Sequence, residues 1–539
     1  MKILHNANIY SPGQANVTAL AINNGYFIAL GSEEDLRSAF PYAEQVINLG
    51  GRTIWPGLTD AHLHLQHLAE SMTMVDCETT TRQECLERVR SAALQLPQNA
   101  WVRGHGWNQN RWDRGFGTAA DLDAVCNHRP AYLTAKSLHA AWANSQALAL
   151  AGINAKTPDP PGGIIQRDET GAPTGILFEA GAMQLVEKVI PPISQQALNQ
   201  KIQDLIPKLR EMGLVSVHDF DGFDCWKALL HHYQKGELKL RVRKNIPFDH
   251  LDAFINAGLQ TDFGDDWLHL GGLKLFADGA LGPQTAAMNE PFEGSSDTGS
   301  LLLSEDEIVD IGKKAVNHSI ALTIHAIGDR ANHIVLNAFE SLRRYEEDHN
   351  LPHLKHRIEH VQILDPEDLP RLAKLDIVAS VQPIHAPSDS QMADQYLGTR
   401  AKNAYAYHSL LESGAVCVFG SDAPVESVNP FLGIHAAVTR RKLNGTPAPD
   451  GWHPYQRLSL DQAIEGFSRT PAEIANQGDR LGRIAAGFKA DFLILEDDPF
   501  KIDPNKLSQI KPLATFIGGK CRYGSTTLST GLKQRSVDL

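Results

Sequence analysis

Two histidines separated by one leucine, His62 and His64, stand in the stretch WPGLTDAHLHL at residues 55–65. Asp60 lies two residues before His62 in this otherwise largely apolar run. Alternate residues of a β-strand face the same side, so a strand here would place these three polar groups, with Leu58, on one face. Two imidazoles about 7 Å apart along a strand can lean onto one metal ion. The alternative is a strand end with two solvated histidines, and this stretch alone does not decide between the two interpretations.

The segments that must position these histidines indicate an α/β barrel. Apolar, β-rich runs alternate with helical patterns through the middle of the chain, which is typical of repeated β-α units and a parallel sheet. Eight such runs can be counted, and eight strands close a (β/α)8 barrel of the TIM type. They cover residues 57–65, 213–220, 240–246, 270–279, 320–329, 356–362, 376–383 and 415–424.

The region between the first and second predicted strands is far too long for one connecting helix. Residues 76–193 therefore predict an insertion with α+β structure of its own, including a helix at 82–96. A further helix is predicted over 194–212, and Gly213 after it suits a C-terminal cap. Both ends of the chain alternate apolar and polar residues between turn signals, which indicates short strands there.

The composition excludes several classes of protein. The 539 residues carry a net charge of −13 with no long run of one sign, which argues against nucleic acid as a partner. No apolar window is long enough to span a membrane, and the N-terminus lacks the apolar core of a signal peptide. The six cysteines are scattered, as expected in a reduced compartment. We therefore expect a cytoplasmic protein with a small-molecule substrate; a homo-oligomer stays open.

Polar residues gather where the predicted strands end. Catalytic groups in such barrels lie at the carboxyl ends of the strands, and imidazole nitrogens and carboxylate oxygens are natural ligands of zinc and similar divalent ions. Each of these residues alone is as well explained by an ordinary strand end or turn, but their joint placement predicts a site for one or two ions. The candidates are His62, His64, Lys274, His325, His360 and Asp422.

The lysine of this set has two interpretations. Lys274 follows apolar strand residues close to the expected cations, and such surroundings push a lysine toward its neutral, nucleophilic amine. The alternative is a plain salt bridge between Lys274 and Asp278 or Asp422.

Several motifs, taken in order, resemble those of the amidohydrolase superfamily, and the match is closest to the branch called amidohydrolase family 3, which includes N-substituted formamide deformylase-like proteins. The resemblance covers nearly the whole chain. It rests on PGLTDAHLHL, GLVSVHDF, KLFADGALGPQTAAM, IHAIGDRA, RIEHVQ, GSDAPV and RLGRIAAGFKADFLILEDDPF.

The resemblance implies a two-metal site and three domains. His62, His64 and Asp422 would hold one ion, His325 and His360 would hold the other, and a carboxylated Lys274 would bridge them. The domains would be a composite β-sandwich, the metal-dependent barrel, and an insertion that covers the barrel mouth. Their bounds would be residues 1–55 plus 481–539, residues 56–75 plus 194–480, and residues 76–193, respectively.

The insertion also supplies candidate substrate contacts. In the family, segments similar to RGHGWNQNRWD (103–113) and KSLHAAWANSQAL line the substrate pocket, which implies this role for Trp107 and His139. The alternative for Trp107 and Trp112 is the core of the insertion.

Asp278, four residues after Lys274, is a third candidate for the pocket and a second candidate base.

The implied reaction is hydrolysis of a carbon–nitrogen bond other than a peptide bond, with a linear amide such as an N-substituted formamide as substrate. A metal ion lowers the pKa of bound water to about 7, and Asp422 would take its proton and pass it to the leaving nitrogen. Two alternatives stay open. The same metal geometry serves hydrolysis of a cyclic amide or imide, or deamination of a ring. A non-catalytic, regulatory barrel with a vestigial metal site is disfavoured by the complete set of six ligands.

Overall fold

The computed structural model describes residues 1–14, 17–97, 99–113 and 115–524. The strands in chain order are β1 Lys2–His5, β2 Asn8–Ile9, β3 Ala19–Asn23, β4 Tyr26–Gly31, β5 Gln45–Asn48, β6 Thr53–Pro56, β7 Leu58–Leu63, β8 Val75–Asp76, β9 Val102–Trp107, β10 Ala131–Ala135, β11 Ala140–Ala143, β12 Ile164–Arg167, β13 Pro173–Phe178, β14 Leu214–Asp219, β15 Arg241–Pro247, β16 Leu268–Phe276, β17 Leu322–Ala326, β18 Arg357–His360, β19 Val378–Val381, β20 Cys417–Phe419, β21 Phe492–Leu495, β22 Ala514–Ile517 and β23 Lys520–Tyr523.

The α-helices in chain order are α1 Glu33–Ala39, α2 Leu65–Ser71, α3 Arg82–Gln95, α4 Ala119–Asp123, α5 Ser145–Leu150, α6 Glu179–Glu187, α7 Gln195–Glu211, α8 Phe223–Gln234, α9 Leu251–Asn256, α10 Glu305–Val316, α11 Asp329–Asp348, α12 Leu369–Lys374, α13 His385–Leu397, α14 Tyr407–Glu412, α15 Pro430–Thr439, α16 Leu460–Gly466 and α17 Arg469–Ile474. None of these described helices is long and apolar enough to cross a membrane.

Eight parallel strands form the central sheet in the order β20-β19-β18-β17-β16-β15-β14-β7. The two edge strands meet at the end of β7, where Leu63 forms a parallel bridge with Ala423 in the turn after β20. At this seam the backbone N–H of Asp422 donates to the carbonyl of His62 over 2.7 Å. The sheet therefore closes on itself, and the predicted (β/α)8 barrel is confirmed. Six of its eight strands lie inside a predicted run, and β15 and β16 overlap theirs but extend one or two residues beyond them.

Helix α7 shows how the sequence builds the outer layer of the barrel. Its buried residues recur at the spacing of one helix face, from Leu198 to Leu209. The side chain of Ser194 caps the N-terminus, accepting from the N–H of Ala197. Gly213 follows the helix with a φ of +89°, a conformation that glycine adopts without strain. The predicted helix is confirmed, with residue 194 as its cap.

The two ends of the chain meet in a pair of sheets beside the barrel. One sheet has the order β4-β3-β1-β5, and the other has the order β2-β6-β21-β22-β23, in which β6 and β21 pair antiparallel. Leu20 and Phe27 of the first sheet share an apolar core with Ile54 and Phe492 of the second. Two sheets over one core are what a composite sandwich requires, although the exact domain bounds stay a prediction.

The insertion forms a six-stranded sheet in the order β12-β13-β11-β10-β9-β8, with α3, α4, α5 and α6 around it. Its core includes Trp107, Trp112 and Trp142, and the helix predicted at 82–96 is α3. Several hydrogen bonds tie it to the barrel, among them one from His105 and one from Gln109. Nδ1 of His105 bonds the hydroxyl of Thr134 within the insertion. Its Nε2 lies 3.2 Å from the carbonyl of Pro424, which follows β20 in the barrel. Gln109 donates to the carbonyl of Gly282 after β16.

Candidate functional site

The predicted ligands converge at the carboxyl ends of the barrel strands. The ring centres of His62 and His360 lie 5.0 Å apart, and those of His325 and His360 lie 4.6 Å apart. Oδ1 of Asp422 lies 3.4 Å from Nε2 of His62 and 3.4 Å from Nε2 of His64. The structure thus brings residues from β7, β17, β18 and the turn after β20 to one place.

Three of the histidines are held by their Nδ1 atoms. Nδ1 of His62 bonds Oε2 of Glu359 over 2.6 Å, and Nδ1 of His64 lies 3.2 Å from Oδ1 of Asp221. A third such bond, 2.8 Å long, joins Nδ1 of His360 to Oε1 of Gln382. Metal-binding histidines are characteristically held in this way by a second group, which orients the ring and leaves Nε2 as the ligand atom.

The fourth histidine is held by its other nitrogen. Nε2 of His325 donates to the carbonyl of Gly279 over 2.8 Å. The atom left to bind a ligand on His325 is therefore Nδ1, whereas it is Nε2 on the other three. The sequence does not show this difference, because it depends on the backbone that follows β16.

A test of whether these residues suit a metal ion comes from His62. Its Nε2 is buried and lacks a hydrogen-bond partner among the described residues. A buried polar atom without a partner is costly, and here it faces a second imidazole nitrogen and a carboxylate oxygen. Three such donors from His62, His64 and Asp422 are the ligand set of a divalent transition metal. The residues present therefore fit the metal that their pattern predicts.

Lys274 lies beneath the site in an apolar setting. Its Nζ lies 4.9 Å from the ring centre of Phe220 and 4.5 Å from that of Phe276. Burial lowers the pKa of Lys274 to about 8, although the negative charges of Glu359 and Asp422 act in the opposite direction. In the part of the chain that the structure describes, no carboxylate lies within 4.0 Å of this Nζ, so the salt-bridge alternative is not what the structure shows.

Asp422 occupies a strained turn and is kept ionised. Its φ is +60°, in the left-handed region that residues other than glycine rarely adopt, and that of His360 is +77°. Such strain persists where surrounding contacts hold it, often at functional sites. Burial alone would raise the pKa of Asp422, but the contacts with His62 and His64 lower it well below its ordinary value.

Asp60, which precedes the two histidines, belongs to the frame of the site. Its Oδ1 accepts the N–H groups of His62 and Ser421, each over 3.1 Å, and Oδ2 accepts the hydroxyl of Ser421. Burial raises the pKa of Asp60 to about 7 despite these bonds. The carboxylate thereby joins β7 to the turn that carries Asp422.

Three of the six candidate ligands line an open cavity between the barrel and the insertion. The cavity wall includes His325, His360 and Asp422 from the barrel, and Trp107 and His139 from the insertion. Two of the three predicted substrate contacts are thus placed at the cavity.

Those two residues have different surroundings. Trp107 is fully buried, its Nε1 donates to the carbonyl of Leu133, and its ring packs on that of Trp112, so it is part of the insertion core as well as the cavity wall. His139 has its Nδ1 2.8 Å from Oε2 of Glu179 and its ring 5.2 Å from that of His325. Burial lowers the pKa of His139, but Glu179 reverses this and raises it overall.

Asp278, the third candidate, is fully buried and accepts three backbone N–H groups. These come from Ala287, Ile327 and Gly328, at 2.8 to 2.9 Å. Burial raises the pKa of Asp278 to about 7, against the effect of these bonds. With its oxygens engaged in this way, Asp278 fixes the loops after β16 and β17.

Four groups that hold the histidines were not predicted from the sequence: Glu359, Asp221, Gln382 and Glu179. One signal was available for Glu359. It stands two residues from Arg357 within a predicted barrel strand, and charges buried in such a strand must be paired. No local signal marks Asp221 or Gln382, because their partners lie in distant parts of the chain.

Comparisons with known proteins show which family the chain belongs to. The family model described as "Amidohydrolase family" matches residues 45–523. The chain belongs to the amidohydrolase family. YtcJ of Bacillus subtilis (strain 168) is 33% identical over 516 residues, which cover 94% of this chain and 96% of that protein. The N-substituted formamide deformylase of Arthrobacter pascens is 29% identical over 541 residues, covering 97% and 98% of the two chains.

A solved structure supports the same conclusion. An uncharacterized metal-dependent hydrolase from Pyrococcus furiosus superposes with a TM-score of 0.72 at 30% identity, over 93% of this chain and 100% of that one. The predicted family is therefore confirmed, and this amidohydrolase is a metal-dependent enzyme that hydrolyses carbon–nitrogen bonds.

Proposed function

We propose that this amidohydrolase cleaves a linear amide, such as an N-substituted formamide, with Asp422 as its general base and acid. The observation that carries the proposal is the position of Oδ1 of Asp422, 3.4 Å from the Nε2 atoms of both His62 and His64. A carboxylate in this position can bind an ion with one oxygen and exchange a proton with the other.

His62, His64 and Asp422 would hold one divalent ion, for which zinc is the expected metal. His325 and His360 would face a second ion, and Lys274, carboxylated by carbon dioxide, would lie between the two. When bound, such an ion activates water and polarises the substrate carbonyl. Lys274 suits carboxylation because its amine, with a pKa of about 8, is neutral far more often than an exposed lysine.

The low pKa of Asp422 sets its role. The carboxylate is ionised at neutral pH and can accept the proton of the attacking water. The same carboxyl then donates that proton to the nitrogen as the carbon–nitrogen bond breaks. The products are a carboxylic acid and an amine, so Asp422 ends each cycle unprotonated and ready for the next.

The cavity wall offers a partner for the substrate carbonyl. With Nδ1 of His139 bonded to Glu179 and its pKa raised, the ring is protonated over a wider pH range, and Nε2 can donate to an oxygen in the cavity. Leu281, Pro283 and Met392 line another part of the wall and suit an apolar group on the nitrogen. The relative from Arthrobacter pascens, by its name, removes formyl groups from N-substituted formamides.

A panel of amides tests the substrate class. The protein is loaded with zinc and assayed on N-alkyl and N-benzyl formamides, on the matching acetamides, and on cyclic imides, with free amine and formate as readouts. We expect the highest kcat/KM on the linear formamides. The Asp422→Asn variant should retain only a small residual activity. Preference for a cyclic imide, or release of ammonia from a ring, would replace the proposed substrate class.

A further inference from the structure

One histidine of the cavity lies outside the predicted ligand set. His385 is the first residue of α13, in the connection after β19, so it stands at the carboxyl edge of the barrel like the other ligands. It is only 6% exposed and it lines the cavity together with His360 and Asp422. No role has been assigned to it so far.

The ring of His385 carries an unsatisfied polar atom. Its Nε2 is buried and has no hydrogen-bond partner among the described residues. A buried ring nitrogen without a partner costs free energy, and a bound ion is one group that can satisfy it. The other four site histidines each have one nitrogen fixed by a protein group, whereas His385 is held in place by the helix that it begins.

The neighbours of His385 are themselves metal-binding groups. A ring nitrogen of His385, a ring nitrogen of His360 and a carboxylate oxygen of Asp422 all lie within 4.8 Å of one another. The rings of His385 and His360 are nearly parallel, with centres 6.4 Å apart. Three donors at this spacing can be drawn to a single ion with bond lengths of about 2.0–2.2 Å.

We propose that His385 is a further metal ligand, which forms with His360 and Asp422 a second cation site. Asp422 then serves both sites, since its Oδ1 faces His62 and His64 and its carboxylate also borders the His360–His385 pair. The inference deepens the proposed function, on which it rests for the presence of an ion at all. It adds a ligand from the end of β19 to a set taken from β7, β16, β17, β18 and β20.

The geometry favours this set over one built on His325 alone. Among the described residues, the close donor trio that contains His360 includes His385. Nε2 of His325 is engaged by the carbonyl of Gly279, and His325 is not part of that trio. The second ion would therefore lie on the α13 side of His360, next to the cavity residues Ser388 and Met392.

A thiol introduced at this position tests direct coordination. The full-length His385→Cys variant is stripped with a chelator and titrated with Co²⁺, and its absorption spectrum is recorded. Coordination by the new thiolate gives an intense sulfur-to-cobalt charge-transfer band in the near ultraviolet. Ser137→Cys is the matched control, because it places a thiol in the wall of the same cavity but on the insertion rather than on α13. We expect the band in His385→Cys and not in the control; its absence from His385→Cys would overturn the proposal.

Stoichiometry gives a second readout that does not depend on catalysis. We expect the unmodified protein to bind two Co²⁺ ions, and His385→Ala to bind the second ion about 100-fold more weakly or not at all. His318→Gln alters an exposed histidine and should keep both ions. Two ions with unchanged affinity in His385→Ala, or one ion in the unmodified protein, would disprove the second site and leave the metal-dependent hydrolase intact. No ion in any variant would instead contradict the metal itself.

Discussion

The Nδ1 atom of His62 lies 2.6 Å from Oε2 of Glu359, and both side chains are fully buried. Nε of Arg357 lies 2.9 Å from the other oxygen of Glu359. Burial alone would raise the pKa of Glu359, but Arg357 and His62 lower it to about 2. Glu359 is therefore a permanent anion that fixes the proton of His62 on Nδ1 and keeps Nε2 free for a metal ion.

Replacing Glu359 with glutamine should weaken metal binding. Glu359→Gln keeps the size and an acceptor oxygen but removes the charge, and it leaves Arg357 without its anionic partner. Loss of such a partner typically costs about 10- to 100-fold in metal affinity or activity. Chelator competition measures the affinity. Glu367→Gln, on the exposed surface, is the matched control. Unchanged affinity in Glu359→Gln would show that His62 is oriented without this carboxylate.

Asp422→Asn separates proton transfer from metal holding. The amide keeps one ligand oxygen but cannot act as a base, and general-base work is worth about 10²–10⁴ in rate. We expect at least that loss of kcat, with most of the metal retained and KM little changed. Elemental analysis and steady-state kinetics on the same sample provide both values. Near-normal turnover by Asp422→Asn would show that Asp422 is not the base, and that another carboxylate at the barrel mouth accepts the proton.

Carboxylation of Lys274 should depend on pH in a defined direction. Since burial lowers the pKa of Lys274 to about 8, the amine is protonated below that pH and neutral above it. At pH 7 roughly one molecule in ten carries the reactive neutral amine, and at pH 9 roughly nine in ten do. Reactivation of metal-free protein by zinc under a fixed pressure of carbon dioxide should therefore quicken as the pH rises through about 8.

Lys274→Ala provides the matching control for this lysine. It should lose metal at one or both positions, and a small carboxylate such as acetate or propionate in solution should restore part of the activity. If the variant holds all its metal and turns over normally, Lys274 has only a packing role between Phe220 and Phe276.

A buried ion pair joins the barrel to the terminal sheets, and we predict that it is important for stability. Nε of Arg241 on β15 lies 2.6 Å from Oδ2 of Asp491, and Nη2 of Arg241 lies 3.0 Å from Oδ1 of the same carboxylate. Asp491→Ala would leave Arg241 buried without its anion, which costs about 3–5 kcal/mol. Thermal unfolding should show a clear fall in Tm. Asp479→Ala, at an exposed pair, should change stability by less than about 0.5 kcal/mol.

The barrel could be predicted from the sequence because parallel strands are covered on both faces. Such strands appear as continuous apolar runs, and a polar residue at the end of each run stands out. This is how His325 and Asp422 were found. Glu359 and His385 could not be found in the same way. Glu359 acts on a residue 297 positions away, and His385 opens a helix rather than ending an apolar run.

The closure of the barrel between Leu63 and Ala423 also has a consequence for biosynthesis. His62 and His64 leave the ribosome early, but Asp422, the carboxylate that would complete their proposed ligand set, follows the last strand of the barrel. A nascent chain therefore carries its first two ligands through most of translation without the third. Until β20 joins β7, the two histidines would lack Asp422, so we expect a fragment truncated before residue 422 to be inactive.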